Sequence, residues 1–234
     1  EPPNSPPPGQ SYEQFYGIID NLEIWDRKLN GQEINSFMNC PPTGDEMGLL
    51  SYWNFENSDG QIFSDLSQFS NSFENFNANI VSNEYDADYC IEDSNAVSFA
   101  GQTGGSYLRA LNPVGNNSDF TVSMWINPSS LNTGFCHIYT GGYVGTAPEF
   151  SFYIGLHNSG QIRFTSQNDY ETNTYVSFDK WQYLTVARRR APYSECSTTD
   201  TINVTFTDPA APTGDAEQLF CDTATVADLT ATGD

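Results

Sequence analysis

The chain is predicted to be all-β, and three observations carry that expectation. Apolar and polar side chains alternate in short runs, as a strand buried on one face requires. Gly, Pro, Asn, Asp and Ser separate the runs, and these are the residues that turns select. Aromatic residues make up 14% of the 234 positions, enough to fill the core between two packed sheets.

The elements follow in chain order. EPPNSPPPGQ, residues 1–10, reads as a polyproline-type linker with no core-forming residue. Ile18 to Trp25 is a predicted strand, with Ile18, Leu22 and Ile24 on one face, Asp20 sharing it, and Asn21 and Glu23 on the other. A short helix is predicted from Gly31 to Met38. Asn30 caps it, Glu33 stands at the capping-box position, Ile34, Phe37 and Met38 form its apolar patch, and Cys40-Pro41-Pro42 stops it. Leu49 to Phe55 is the next strand, and SDLSQFSNSFENF reads as a loop leading into another. Two short strands, Ala96 to Phe99 and Tyr107 to Ala110, flank the turn GQTGG.

The clearest alternation is Phe120 to Asn127, where Phe120, Val122, Met124 and Ile126 are expected to face the core. Phe150 to Leu156 repeats it. Asn158-Ser159-Gly160 turns the chain into a return strand with Ile162 and Phe164, a hairpin. Trp181 to Ala187 is a further strand. The character changes at Arg188, and TINVTFTD reads as a strand before the proline-rich hinge DPAAPTGD.

Charge and cysteine usage limit the function. With 30 acidic and 8 basic residues the net charge is −22. Nucleic-acid binding is disfavoured, because phosphates need Lys and Arg, and an anionic membrane surface would repel the chain. The sequence holds no apolar run of membrane-spanning length. Cys40, Cys90, Cys136, Cys196 and Cys221 are widely spaced with no CxxC, which argues for disulfides in an oxidising compartment over a zinc site.

Two phrases carry a resemblance. GIIDNLEIWDRKLNGQEI (17–34) and GLLSYWNFE (48–56) resemble the closing and opening phrases of laminin-G-like domains, which share the concanavalin A-like lectin/glucanase jelly roll. DLSQFSN, AVSFAG, DFTVSMWINPSSL and KWQYLTVAR extend the resemblance to Ala187. Here the closing phrase comes first. The resemblance implies a linker at 1–10, a closing segment at 11–45, a jelly roll at 46–187, and a linker with a partial immunoglobulin-like repeat at 188–234. The reversed order has two explanations. Repeats meet here by accident of boundaries, or Gly17 to Trp25 completes the later jelly roll as a permuted strand. The second is preferred, since an open sandwich would expose an apolar edge.

DPAAPTGDAEQLFCD and ATVADLTATG resemble junctions of immunoglobulin-like repeats in large adhesins of gliding bacteria that use type IX secretion. The resemblance implies a secreted, extracellular cell-surface protein that binds glycan or a surface polymer through tandem modules, beside neighbouring repeats of the same protein. A structural spacer of a surface fibre is one alternative, and a carbohydrate-binding module of a polysaccharide-degrading enzyme is another.

The candidate sites divide by chemistry. Glucanases of this class use an ExDxxE strand; Glu84 and Asp86 begin it, but Tyr89 replaces the second Glu, so no catalysis is expected. Asp65 and Asn71 flank a loop similar to a calcium loop of laminin-G-like domains, and Asp20 is the third candidate ligand, so calcium is an expected cofactor. Trp125 points away from the core side of its strand and, with Tyr139, Tyr143 and Tyr153, could form a sugar platform. The alternative packs Trp125 into a second core layer. Cys40 and Cys90 resemble cysteines that frame a repeat, which implies a Cys40–Cys90 disulfide.

Overall fold

A computed structural model describes residues 13–56, 58–82, 94–101, 105–110, 119–130, 134–141, 152–166, 169–190 and 200–207. The described residues form β1 (Glu13–Gln14), β2 (Tyr16–Trp25), α1 (Gly31–Asn39), β3 (Leu49–Trp53), β4 (Ile62–Phe63), β5 (Phe73–Phe76), β6 (Asn79–Ser82) and β7 (Asn95–Ala100). They continue with β8 (Tyr107–Arg109), β9 (Phe120–Pro128), β10 (Phe135–Gly141), β11 (Phe152–His157), β12 (Gln161–Ser166), β13 (Asp169–Tyr175), β14 (Gln182–Arg190) and β15 (Asp200–Thr207). The fold is all-β, a concanavalin A-like jelly-roll sandwich with one short helix among the described residues.

A seven-stranded sheet runs in the order β15-β14-β9-β2-β7-β6, with β3 also paired to β2. A five-stranded sheet runs β1-β10-β11-β12-β13, and a small one runs β4-β5-β8. The main core lies between the two large sheets. The seven-stranded sheet contributes Ile19, Leu22, Ile24, Phe120, Val122, Met124 and Ile126, and the five-stranded sheet meets them with Cys136, Phe152, Ile154, Leu156, Ile162 and Phe164. Each large side chain buried this way contributes about 1.5–3 kcal/mol.

The strand with the closing phrase lies at the centre of this assembly. β2 pairs antiparallel with β9, from Gly17 opposite Pro128 to Trp25 opposite Thr121, and on its other edge with β7 and β3. Without it, β9 would present an unpaired row of backbone groups in the middle of the sheet.

The faces of β2 differ from the expected alternation. Its register with β9 shifts between Asp20 and Glu23, so Asn21 and Leu22 together occupy the space opposite Met124, a β-bulge. Asn21 adopts φ 47°, a left-handed conformation that Asn tolerates better than most residues. The bulge puts Ile19, Leu22 and Ile24 on the core side. Asp20, opposite Trp125, lies on the far side.

β9 is buried on both faces. Thr121, Ser123 and Trp125 are as buried as the residues that alternate with them, and Trp125 packs in a second core layer, one of the two readings its sequence left open. The cause is α1. Its Asn30 cap accepts from the Gln32 and Glu33 amides at 2.9 and 3.0 Å, and the Glu33 carboxylate accepts from the Asn30 amide at 2.8 Å, the capping box expected from the sequence. Ile34 and Met38 then pack over Trp25, Leu29, Leu49, Tyr52, Trp125 and Tyr183, a second apolar layer on the outer face of the seven-stranded sheet. Thr121 ties the connection down: its Oγ1 accepts from the Leu29 amide at 3.0 Å and donates to the Arg27 carbonyl at 2.8 Å.

The boundary expected at Ala187 is also corrected. β14 runs on to Arg190, and β15 pairs with it along its length, from Tyr183 opposite Thr207 to Arg190 opposite Asp200. The TINVTFTD strand therefore belongs to the jelly-roll sheet, where it covers the edge of β14. Residues 208–234, with the rest of the immunoglobulin-like resemblance, lie outside the described residues. Cys40 is disulfide-bonded, and Cys90, its expected partner, also lies outside them. Among the described residues no helix is long and apolar enough to cross a membrane.

Candidate functional site

The outer face of the five-stranded sheet collects the side chains best suited to a ligand. Strand alternation sends Cys136, Ile154, Leu156, Ile162 and Phe164 into the core, and sends Phe135, His137, Tyr153 and Arg163 the other way. The register brings these four together: His137 is opposite Gly155, and Gly155 is opposite Arg163. A Cβ at Gly155 would lie 2.1 Å from Cζ of Phe135, whose ring crosses the space a side chain would fill.

The rings form one cluster. The Phe135 centroid is 5.3 Å from that of His137 and 5.5 Å from that of Tyr153, both edge to face, and His137 and Tyr153 are 4.5 Å apart. The Arg163 guanidinium lies 5.6 Å from the Phe135 centroid, within cation–π range. All four side chains are half-buried. Burial lowers the His137 pKa below its ordinary value, so at neutral pH its imidazole is uncharged and can both donate and accept. The face thus combines flat apolar rings with an uncharged donor–acceptor and a guanidinium, the mixture that sugar pockets use.

The rings expected to form one platform are not brought together. Trp125 is 2% exposed and sits in the layer beneath α1, edge to face with Tyr183 at 5.4 Å. Its sheet is on the far side of the main core from Tyr153, so the two rings cannot share a ligand. Tyr139 turns inward. The register of β10 shifts between His137 and Tyr139, which sets Tyr139 opposite the core residue Ile154, and its ring packs on Phe152 at 5.6 Å. Burial also pushes its phenol pKa up. Tyr143 lies outside the described residues. Phe135 and Arg163 were not singled out from the sequence, although FCHIYTG and QIRFTS both alternate; without the hairpin register nothing places them side by side.

The expected metal ligands hold structure. The Asp65 carboxylate accepts four hydrogen bonds: Oδ1 from the Tyr52 and Ser67 amides at 2.9 and 2.8 Å, and Oδ2 from the Ser67 hydroxyl and the Asn71 amide at 2.9 and 2.7 Å. Asn71 Nδ2 donates to Ser51 Oγ at 3.0 Å. Together they staple the 65–71 loop to β3. Asp20 is fully buried and accepts from the Asn21 amide at 2.7 Å. Among the described residues no group of three or more His, Cys, Asp or Glu side chains is close enough to hold a metal ion.

A second polar cluster lies under α1. Glu23 is fully buried, and its carboxyl accepts from Trp25 Nε1 and from the Tyr183 hydroxyl, both at 3.1 Å. Burial outweighs these two donors and pushes its pKa up to about 8. Burial and the neighbouring carboxyl push Tyr183 up as well.

Residues 101–194 match the laminin-G-type family model described as the concanavalin A-like lectin/glucanases superfamily. That stretch spans β8 to β14 and contains all four residues of the face, while the central strand β2 lies before it. No curated protein and no solved structure matches the chain.

Proposed function

We propose that this chain is a non-catalytic, carbohydrate-binding jelly roll of a secreted cell-surface adhesin, and that the outer face of β10, β11 and β12 holds the glycan or surface polymer. The observation that carries the reading is the ring cluster of Phe135, His137 and Tyr153 beside Arg163, inside the stretch that matches the lectin/glucanase family. The disulfide at Cys40 supports an oxidising, extracellular setting. Tandem modules of this kind reach high avidity through effective concentration. The four described side chains of the face do not include the paired carboxylates that a retaining or inverting glycosidase requires. Calcium is left outside the proposal, because the acceptor positions of Asp65 are already occupied by loop donors.

A glycan array probed with the full chain and with Tyr153→Ala tests the reading. Binding to a defined set of glycans, lost in the variant, is the expected result. No binding to any glycan, together with a rigid elongated shape in small-angle scattering, would favour the spacer. Release of reducing sugar from a bound polysaccharide would overturn the non-catalytic part.

A further inference from the structure

The small sheet carries a surface that the reading above does not use. Alternation turns Phe63 and Phe73 into the main core and packs Leu108 against it. It turns Ile62, Glu74, Phe76, Tyr107 and Arg109 outward. The register aligns them: Ile62 and Arg109 flank Glu74, and Phe76 stands opposite Tyr107. The Phe76 and Tyr107 rings stack with centroids 4.5 Å apart and planes within 8°. Arg109 lies over the Phe76 ring at 4.9 Å and donates from Nη2 to Glu74 Oε2 at 2.6 Å. Tyr107 is 39% and Ile62 40% exposed, and the charged pair is exposed further.

Stability is a poor account of this arrangement. An exposed ion pair contributes roughly 0–1 kcal/mol, and a cross-strand aromatic pair a similar amount. What the contacts fix is geometry: the half-exposed Tyr107 ring, backed face to face by Phe76, beside a held guanidinium and carboxylate. A pyranose needs such a partner, with an apolar plane for its C–H face and adjacent donors and acceptors for its hydroxyls. The Glu74–Arg109 pair carries no net charge, on a chain of net charge −22. That balance suits an uncharged polyol, whereas an anionic ligand would meet the repulsion of the whole protein.

We propose that the outer face of β4, β5 and β8 is a second carbohydrate-binding site, for a neutral sugar chain. Tyr107, backed by Phe76, offers the ring face for stacking, and Arg109 and Glu74 form the hydrogen-bonding edge. This site stands on its own contacts and does not require the face of the five-stranded sheet. With both, one domain holds a polymer at two points.

The test is residue-resolved NMR of the full chain titrated with cellohexaose, laminarihexaose and xylohexaose. At least one of them should shift the Arg109 side-chain N–H and the amides of Glu74, Phe76 and Tyr107 saturably. Tyr107→Ala and, separately, Arg109→Met should each weaken that response about tenfold, with melting temperature as the folding control. The proposal is overturned if none of the three sugars at millimolar concentration moves these signals, or if both variants respond like the parent. It is equally overturned if the signals move with protein concentration alone, which would report a second copy of the chain on this face. Signals at His137 and Tyr153 report the first site separately, so the two readings fail distinguishably.

Discussion

Both large sheets point aromatic rings away from the core they share, and the two sets of rings meet different fates. Trp25, Trp125 and Tyr183 leave the seven-stranded sheet and are sealed beneath α1. Phe135, His137 and Tyr153 leave the five-stranded sheet and stay half-buried. The strands themselves do not differ in kind. What differs is the connection that follows β2, where a capped helix with apolar Ile34, Phe37 and Met38 lies across one outer face. An outward ring on a strand is therefore a binding candidate only once the cover on its sheet is known.

Truncating the sealed face should have the largest effect. Trp125→Ala removes a ring from a closed layer and should cost about 3–5 kcal/mol in denaturant unfolding. A loss of under 1 kcal/mol would mean the layer is loose.

Next in size is the pH response of the same layer. Glu23 is protonated in the fold up to about pH 8, while its ordinary value is 4.5. A pKa raised by folding gives stability that is complete below 4.5 and is lost as the pH climbs through 8. The loss should be on the order of a few kcal/mol, since each unit is about 1.4 kcal/mol. Thermal melts of the parent and of Glu23→Gln at pH 5 and pH 8 measure it, and the variant should fall less. Equal falls would show that other groups set the pH dependence.

Removing the loop staple should cost less. Asp65→Ala strands several donors and should destabilise by about 1–3 kcal/mol, equally in calcium and in chelator. A loss seen only with calcium present would restore the metal reading. The smallest effect is expected at the cover itself: Asn30→Ala removes the helix cap for about 1 kcal/mol. No change in stability there would mean that the helix is held by its apolar face alone.

Much of the fold was legible because its signals are local. The capping box needs four consecutive residues, and the alternation at Phe120 and the turn at Asn158-Ser159-Gly160 need few more. The phrase around Ile19 marked a strand whose place in the sheet required a missing partner, and pairing logic supplied it. Other features were hidden for definite reasons. Asn21 reads as an ordinary strand residue, but its left-handed backbone shifts the faces on either side. A register shift after His137 turns Tyr139 inward as well. β13 is DYETNTY, too polar to alternate visibly. The helix could be read from sequence but its docking site could not, so Trp125 retained two readings. The candidate face was the least legible part, since Phe135, Tyr153 and Arg163 come from three strands and meet only through register.

The central claim is that the open face binds and the sealed face supports. Calorimetric titration of Tyr153→Ala and of Trp125→Phe with the tightest glycan from the array tests it most directly. Tyr153→Ala should lose at least about tenfold in affinity, roughly 1.4 kcal/mol, with little change in melting temperature. Trp125→Phe should melt lower and bind the glycan as the parent does. Parent-like affinity in Tyr153→Ala, with affinity lost in a folded Trp125→Phe, would contradict the account.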